Sequence, residues 1–329
     1  MDNRIKWGII GLGKIANKFA EDLKLSKNAI LYGVASRNLD KARSFGERYG
    51  SIAYFDSYRE LAEHPEIDVV YVATPHAFHF ENTMMCLKND KAVLCEKPMG
   101  MDVVEVRKMV EEAKSRNLFL MEGLWTRFIP ATEKLMELLE EKTIGEVIAV
   151  RADFGFKGDG NLNSRVYDKE LGGGSLLDIG IYPIYLSLLA LGVPTNMKAM
   201  ARMTETNVDS HCTMLFDYGN SAKAILESTI EADTPTEAYI YGNKGTIRLH
   251  SRFHHTRKMT LTQEEEKKTI DIPYVGNGYF HEIEEVNKCL LEGETESMKL
   301  PLGSSLELMT LIDRVKKEIG LRYDDENND

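Results

Sequence analysis

Cysteine is scarce in this chain and forms no motif. Cys86, Cys95, Cys212 and Cys289 are spread over 329 residues without a CxxC pair. That spacing excludes the paired-thiol metal and redox motifs, so reduced, structural cysteines in a cytoplasmic protein are expected. No apolar run approaches the roughly 18–20 residues that a bilayer-crossing helix needs. The opening MDNRIKWGIIGLG lacks a signal peptide's order of basic segment, apolar segment and small-residue cleavage site, and its apolar part is expected to be a first strand. Positive charge is short as well: 41 Lys and Arg stand against 52 Asp and Glu, a net charge of −11. An acidic surface argues against nucleic acid and anionic membrane as partners. Internal repeats and low-complexity segments are absent.

Apolar residues make up 43% of the sequence and charged ones 28%, the balance of a soluble, folded protein of two domains. Up to Glu122 short apolar runs alternate with helical patterns: KWGII, KIANKFAEDL, ILYGVAS, NLDKARSFGERYG, DVVYVATP, HAFHFENTMMCLKND, KAVLCEKP, VVEVRKMVEEAKSRN and LFLME. This rhythm predicts an α/β Rossmann domain, a doubly wound parallel sheet, over residues 1–122. Residues 123–329 read differently. A helix (ATEKLMELLEE), a strand (GEVIAVRADFGF) and a glycine-prefaced helix precede several strand-like runs joined by turns such as YGNKG, and two helices follow. An α+β domain with an open-faced, mainly antiparallel sheet is expected there.

The first strand runs into Gly11-Leu12-Gly13-Lys14-Ile15-Ala16. Gly11 allows a tight turn and Gly13 lets the backbone approach a pyrophosphate. Ala16 is small enough for close helix–strand packing, and the helix N-terminus offers N–H groups to the anion. A strand before, a helix after and a long βαβ series mark a dinucleotide site. The second strand ends in Ser36 and Arg37, where a carboxylate would meet a free ribose 2′-hydroxyl. A hydroxyl and a guanidinium suit a 2′-phosphate instead, so NADP is preferred, with NAD possible. The alternative is that Arg37 stacks on adenine or faces solvent.

Glu96, Lys97 and Pro98 close the fifth strand, at the sheet edge that faces the cofactor crevice. A lysine there could hold a substrate hydroxyl or lower the pKa of a neighbouring acid. In GGGSLLDIGIYPIYLSLLALG, three glycines precede a helix on which Asp178 and Tyr182 stand four residues apart, and so on one face. Asp178 could equally be a first-turn carboxylate stabilised by the helix dipole.

Taken together, GIIGLGKIA, ATPHAFHFENTM, VLCEKPMG, WTRF and GGGSLLDIGIYPI resemble the Gfo/Idh/MocA family of oxidoreductases over nearly the whole chain. WTRF and DIGIYP are most similar to its branch of dihydrodiol dehydrogenases and NADP-dependent D-xylose dehydrogenases. The resemblance implies hydride exchange between a nicotinamide and a hydroxyl-bearing carbon of a sugar or cyclic diol. By motif position, Tyr182 is the acid/base, Lys97 assists it, and Asp178 holds a substrate hydroxyl or orients the lysine. Thr74, Pro75, His76 and His79 would line the nicotinamide ribose, beside Glu96 and Lys97. His79 could also be merely solvated. The glycines would keep the space above the nicotinamide clear.

Trp125 and Arg127 could grip a sugar ring, or serve only interdomain packing. Phe154 and Tyr279 are further pocket candidates. HSRFHHTRK (His250 to Lys258) reads as a basic hairpin loop, and no metal site is expected. An exposed sheet face needs covering, which with the resemblance implies a homodimer or homotetramer. Two rival readings remain: a sugar–sugar oxidoreductase with tightly held cofactor, and a non-catalytic NADP-binding regulator.

Overall fold

Six short apolar segments form a wholly parallel sheet: β1 (Ile5–Ile10), β2 (Ala29–Ala35), β3 (Ala53–Phe55), β4 (Val69–Val72), β5 (Ala92–Glu96) and β6 (Leu120–Gly123). Between them run α1 (Lys14–Leu23), α2 (Leu39–Tyr49), α3 (Tyr58–Glu63), α4 (His79–Lys88) and α5 (Val103–Arg116). Every residue of β4, β5 and β6 is buried, as expected of strands covered on both faces. The helix ends carry their own signals. Asn38 accepts from Lys41 N at 3.0 Å to start α2, Asp102 accepts from Glu105 N at 2.8 Å to start α5, and left-handed Gly50 ends α2. Strand order is β3-β2-β1-β4-β5-β6. The direction of winding reverses between β1 and β4, which opens a crevice at their carboxyl ends.

The computed structural model describes residues 4–219 and 222–323. They fall into two units, Met1–Phe128 with Tyr274–Leu306, and Ile129–Pro273 with Glu307–Asp329.

In the second unit α6 (Pro130–Glu140) precedes β7 (Val147–Gly155) and α7 (Ile181–Leu191). Then come β8 (Asn196–Met203), β9 (Asp209–Asp217), β10 (Lys223–Thr229), β11 (Ala238–Gly242), β12 (Thr246–Leu249), β13 (Lys258–Gln263) and β14 (Glu266–Asp271). These strands form one sheet in the order β14-β13-β12-β11-β7-β10-β9-β8. Only β7 and β10 run parallel; the other pairs are antiparallel, and YGNKG turns β11 into β12 as expected. Burial alternates along β9 and β10. Met214, Phe216, Ala224 and Leu226 are wholly buried, whereas Ile148, Met200, Leu215 and Ile225 are exposed on the open face.

Two features bear on the expectations. The span Lys169–Leu191, 23 residues, is long and apolar enough to cross a bilayer by length and composition, but a 3-10 turn in it ends at left-handed Gly172 before the π turn and α7 begin, and 78% of its apolar window is buried inside the protein. Its apolar surface is used against β7 and β10 as a core helix. The second concerns the division at 122/123. The first unit continues to Phe128 and regains 274–306. Within that segment α8 (Phe280–Glu292) packs against α1 and β1, and Asn287 Oδ1 accepts from buried Trp7 Nε1 at 2.9 Å. A last helix, α9 (Leu302–Ile319), follows.

Candidate active site

In the first unit the glycine loop leaves β1 beside the exit of β4. Gly11 has φ +84°, and a Cβ there would lie 2.5 Å from the backbone carbon and oxygen of Ala73. Only glycine fits that turn and that approach. Gly13 is different: a Cβ would meet nothing within 4 Å, so this position faces open space. It caps α1 without any side-chain bond, which leaves the helix's first N–H groups available to an anion. Leu12 and Ala16 are buried, and Lys14 and Ile15 are exposed. This cradle fits a dinucleotide pyrophosphate.

At the end of β2, Ser36 is buried with its Oγ accepting from Asn38 N at 3.3 Å, while Arg37 is exposed. Burial pushes the Tyr58 phenol up, and the Arg37 charge pulls it back, which places the guanidinium near the start of α3. After β4, Thr74 and His76 are buried and Pro75 is half-buried. His79 is wholly buried, with Nδ1 2.7 Å from Pro98 O and Nε2 2.8 Å from Thr74 O. The role expected of it, lining the ribose, meets a different arrangement: its ring ties the loop after β4 to the turn after β5.

Lys97 is half-buried in that turn, and its bond to Pro98 is cis. Beneath it lie buried acids. Glu96 accepts a hydrogen bond from the Tyr71 hydroxyl, and Glu122 accepts from Met99 N at 3.0 Å. Burial raises the Glu96 carboxyl to about 6, against the lowering effects of Tyr71 and the Lys97 charge. Burial raises Glu122 too, while Ser305, Met99 and Lys97 oppose it. Glu96, expected to touch cofactor, is therefore engaged below the turn. Trp125 stacks on Tyr279 at 4.7 Å and 6°, and Arg127 Nε donates to Lys299 O at 2.9 Å. These three substrate candidates pack within the first unit, and one face of each ring is already covered.

The second unit gathers the other candidates. Tyr182, in the first turn of α7, is 6% exposed. Its ring lies 5.7 Å from Phe154 on β7 and 4.7 Å from His254, and His254 stacks on Phe154 at 4.4 Å. His254 lies in the segment expected to be a basic hairpin loop and was not among the candidate residues, yet it is buried. Its short turn Phe253–His255 follows a left-handed Arg252, and the adjacent Phe253 was the available signal. No group of three His, Cys, Asp or Glu side chains that could hold a metal occurs among the described residues.

Asp178 lies in a π-helical turn, Leu176–Gly180, which runs into α7, so its spacing from Tyr182 is not that of an ordinary α-helix. Arg165 Nη2 is 2.9 Å from Asp178 Oδ1, so the carboxylate has an ionic partner besides any helix dipole. The glycines also have a tighter reason than the one expected. A Cβ on Gly173 would lie 2.8 Å from Asp168 O, and one on Gly174 (φ +105°) 2.4 Å from Asp209 Oδ1. They let the chain pack against its own unit.

A dinucleotide cradle at a switch point in one unit, and a tyrosine and a paired aspartate on one helical stretch of the other, define an oxidoreductase class. Residues 5–124 match the Gfo/Idh/MocA oxidoreductase family, NAD-binding Rossmann fold, and residues 132–248 match the Gfo/Idh/MocA C-terminal domain. The chain belongs to this family and is an oxidoreductase with an NAD-binding Rossmann domain. It is 36% identical over 330 residues to trans-1,2-dihydrobenzene-1,2-diol dehydrogenase of Xenopus tropicalis, covering 97% of this chain and 99% of that protein. It is 35% identical over 334 residues to the Homo sapiens enzyme of that name, covering 97% and 98%. A 3-ketoreductase from Actinomadura kijaniata, solved with NADP and TDP-benzene, superposes with TM-score 0.87 at 26% identity, covering 96% of this chain and 98% of that one. Variants of that ketoreductase with one lysine or one tyrosine replaced have also been solved.

Two outcomes are expected. Gly13→Ala should leave thermal stability unchanged and weaken dinucleotide binding at least tenfold, whereas Gly11→Ala should lower stability as well; calorimetry and cofactor titration separate the two. Glu96 carries a folded-state pKa raised to about 6. The stability it contributes is full below its unfolded pKa and lost as pH rises through 6. Glu96→Gln should remove about 2 kcal/mol of that decline, read from urea unfolding between pH 4.5 and 7.

Proposed function

We propose that this protein is an NADP-dependent dehydrogenase that oxidises a hydroxyl-bearing carbon of a sugar, such as D-xylose or D-glucose, or of a cyclic diol. The observation that carries the reading is Tyr182, buried against Phe154 and His254 on the same helical stretch as the Asp178–Arg165 pair. Bound NADP supplies the hydride acceptor. Tyr182 takes the hydroxyl proton, and Asp178, held by Arg165, accepts a hydrogen bond from a neighbouring hydroxyl. A free phenol titrates near ~10, so it serves as a base near neutrality only with a positive charge to favour its ionised form. The Lys97 ammonium is proposed as that charge. Support comes from the dihydrodiol dehydrogenases and from the ketoreductase, whose replaced lysine and tyrosine are separated along the chain by nearly the distance between Lys97 and Tyr182.

NADP is the proposed preference because Ser36 and Arg37 stand at the end of β2, where no carboxylate would repel a 2′-phosphate. NAD remains a usable alternative. Ile148, Met200, Leu215 and Ile225 give the open sheet face an apolar surface suited to a second copy of the chain, so a homodimer or homotetramer is proposed. The four free, buried cysteines suit a cytoplasmic setting.

With D-xylose and trans-1,2-dihydrobenzene-1,2-diol as substrates, Tyr182→Phe should lower kcat by a factor of about 10²–10⁴ while the NADPH dissociation constant stays within twofold. Retained turnover would remove the tyrosine from the chemistry. NADP should bind at least tenfold tighter than NAD, and Arg37→Ala should erase the difference, since a charge-assisted contact is worth about 1.5–3 kcal/mol.

A further inference from the structure

We propose that Asp209, acting with Ser175 and Tyr323, is a positioning device for the turn that carries Asp178 and leads into Tyr182. The proposal rests on the reading of Tyr182 as the acid/base. Asp209 opens β9 and has no exposed surface. Its Oδ2 accepts from Ser175 Oγ at 2.6 Å and from Leu176 N at 2.7 Å, the first amide of the π turn. Ser175 Oγ also meets Ser228 Oγ on β10 at 2.9 Å. From the far end of the chain, the Tyr323 hydroxyl donates to Gly173 O at 2.5 Å. Gly173, Ser175 and Leu176 are thus each fixed by side chains distant in sequence, and Gly174 is a glycine because Asp209 Oδ1 occupies the space of its Cβ.

A helix start needs no wholly buried carboxyl to be stable. Burial pushes Asp209 up to about 7, the opposite of what a stabilising cap shows, and its Oδ1 has no hydrogen-bond partner. Burial raises the Tyr323 phenol, and Asp209 and Asp178 push it the same way, so the three groups share one surrounding. A π turn is an uncommon geometry that recurs at functional sites, and this one lies immediately before Tyr182. The costly acid is accounted for by the need to hold that turn in one register.

The test uses the full chain with NADP as hydride acceptor and D-xylose and trans-1,2-dihydrobenzene-1,2-diol as substrates. Asp209→Ala, Asp209→Asn, Ser175→Ala and Tyr323→Phe are compared with Tyr182→Phe by kcat, KM, NADPH affinity, thermal midpoint and amide exchange over residues 173–182. Asp209→Ala should lower kcat thirtyfold or more, and Ser175→Ala and Tyr323→Phe three- to tenfold, with KM and NADPH affinity within threefold of the original. Asp209→Asn, which keeps an acceptor for Leu176 N, should recover most of the loss. Exchange over 173–182 should quicken at least tenfold in the three damaging variants. Unchanged kcat and exchange in folded Ser175→Ala and Tyr323→Phe overturn the proposal, and so does a fall in kcat matched by loss of NADPH affinity. Those two variants decide the matter if Asp209→Ala does not fold. If Tyr182→Phe keeps its turnover while exchange quickens in the others, the tyrosine reading fails and the anchoring of the turn stands.

Discussion

The close approach of two strand exits governs the first unit. Ala73 N donates to Ile10 O at 2.9 Å, and the backbone of Gly11 lies against Ala73 so tightly that no side chain fits. That contact closes the gap between β1 and β4 where the winding reverses, and it turns the following loop so that α1 begins with unbonded amides facing open space. The cradle depends on it, and Lys97 lies in the turn just past β5, the strand next to β4. A parallel sheet whose first crossover closed less tightly would present the same residues without a common edge.

Both units bury polar groups behind their candidate residues. Glu96, Glu122 and Tyr71 lie under Lys97, and Asp209, Ser175 and Ser228 lie behind Asp178. A buried carboxyl opposes folding unless its bonds offset the lost hydration. In the first unit the charge of Lys97 supplies part of that offset, so the ammonium and the acids below it hold each other in place. In the second, hydroxyls and a backbone amide do the same work without a cation. Some acids elsewhere are exposed and paired, as with Lys142 and Glu146 or Lys134 and Glu137, where water makes such pairs weak.

Much of this was legible in the sequence because it is local. The alternation of apolar runs gave the parallel sheet, Gly11 and Gly13 fell between a strand and a helix, and YGNKG turned where a hairpin was expected. What stayed hidden depends on residues far apart in the chain. Nothing about Asp209 or Tyr323 in sequence ties them to Gly173 and Leu176, and a π turn has no periodic signature separate from an α-helix. His254 sits among cations in the sequence, and only the pairing of strands brings it to Phe154 and Tyr182. The division expected after residue 122 rests on a local sign, the change from alternating elements to consecutive strands, whereas the return of 274–306 to the first unit is not local.

That return makes the dinucleotide unit discontinuous in the chain. Asp22 on α1 accepts from Asn277 N at 2.8 and 2.9 Å and from Phe280 N at 3.1 Å, and Trp7 in the first strand gives its indole hydrogen to Asn287. A ribosome must therefore build the whole second unit's sheet before the earliest strand can meet its last partners. Until then the indole of Trp7 and the carboxylate of Asp22 lack these partners.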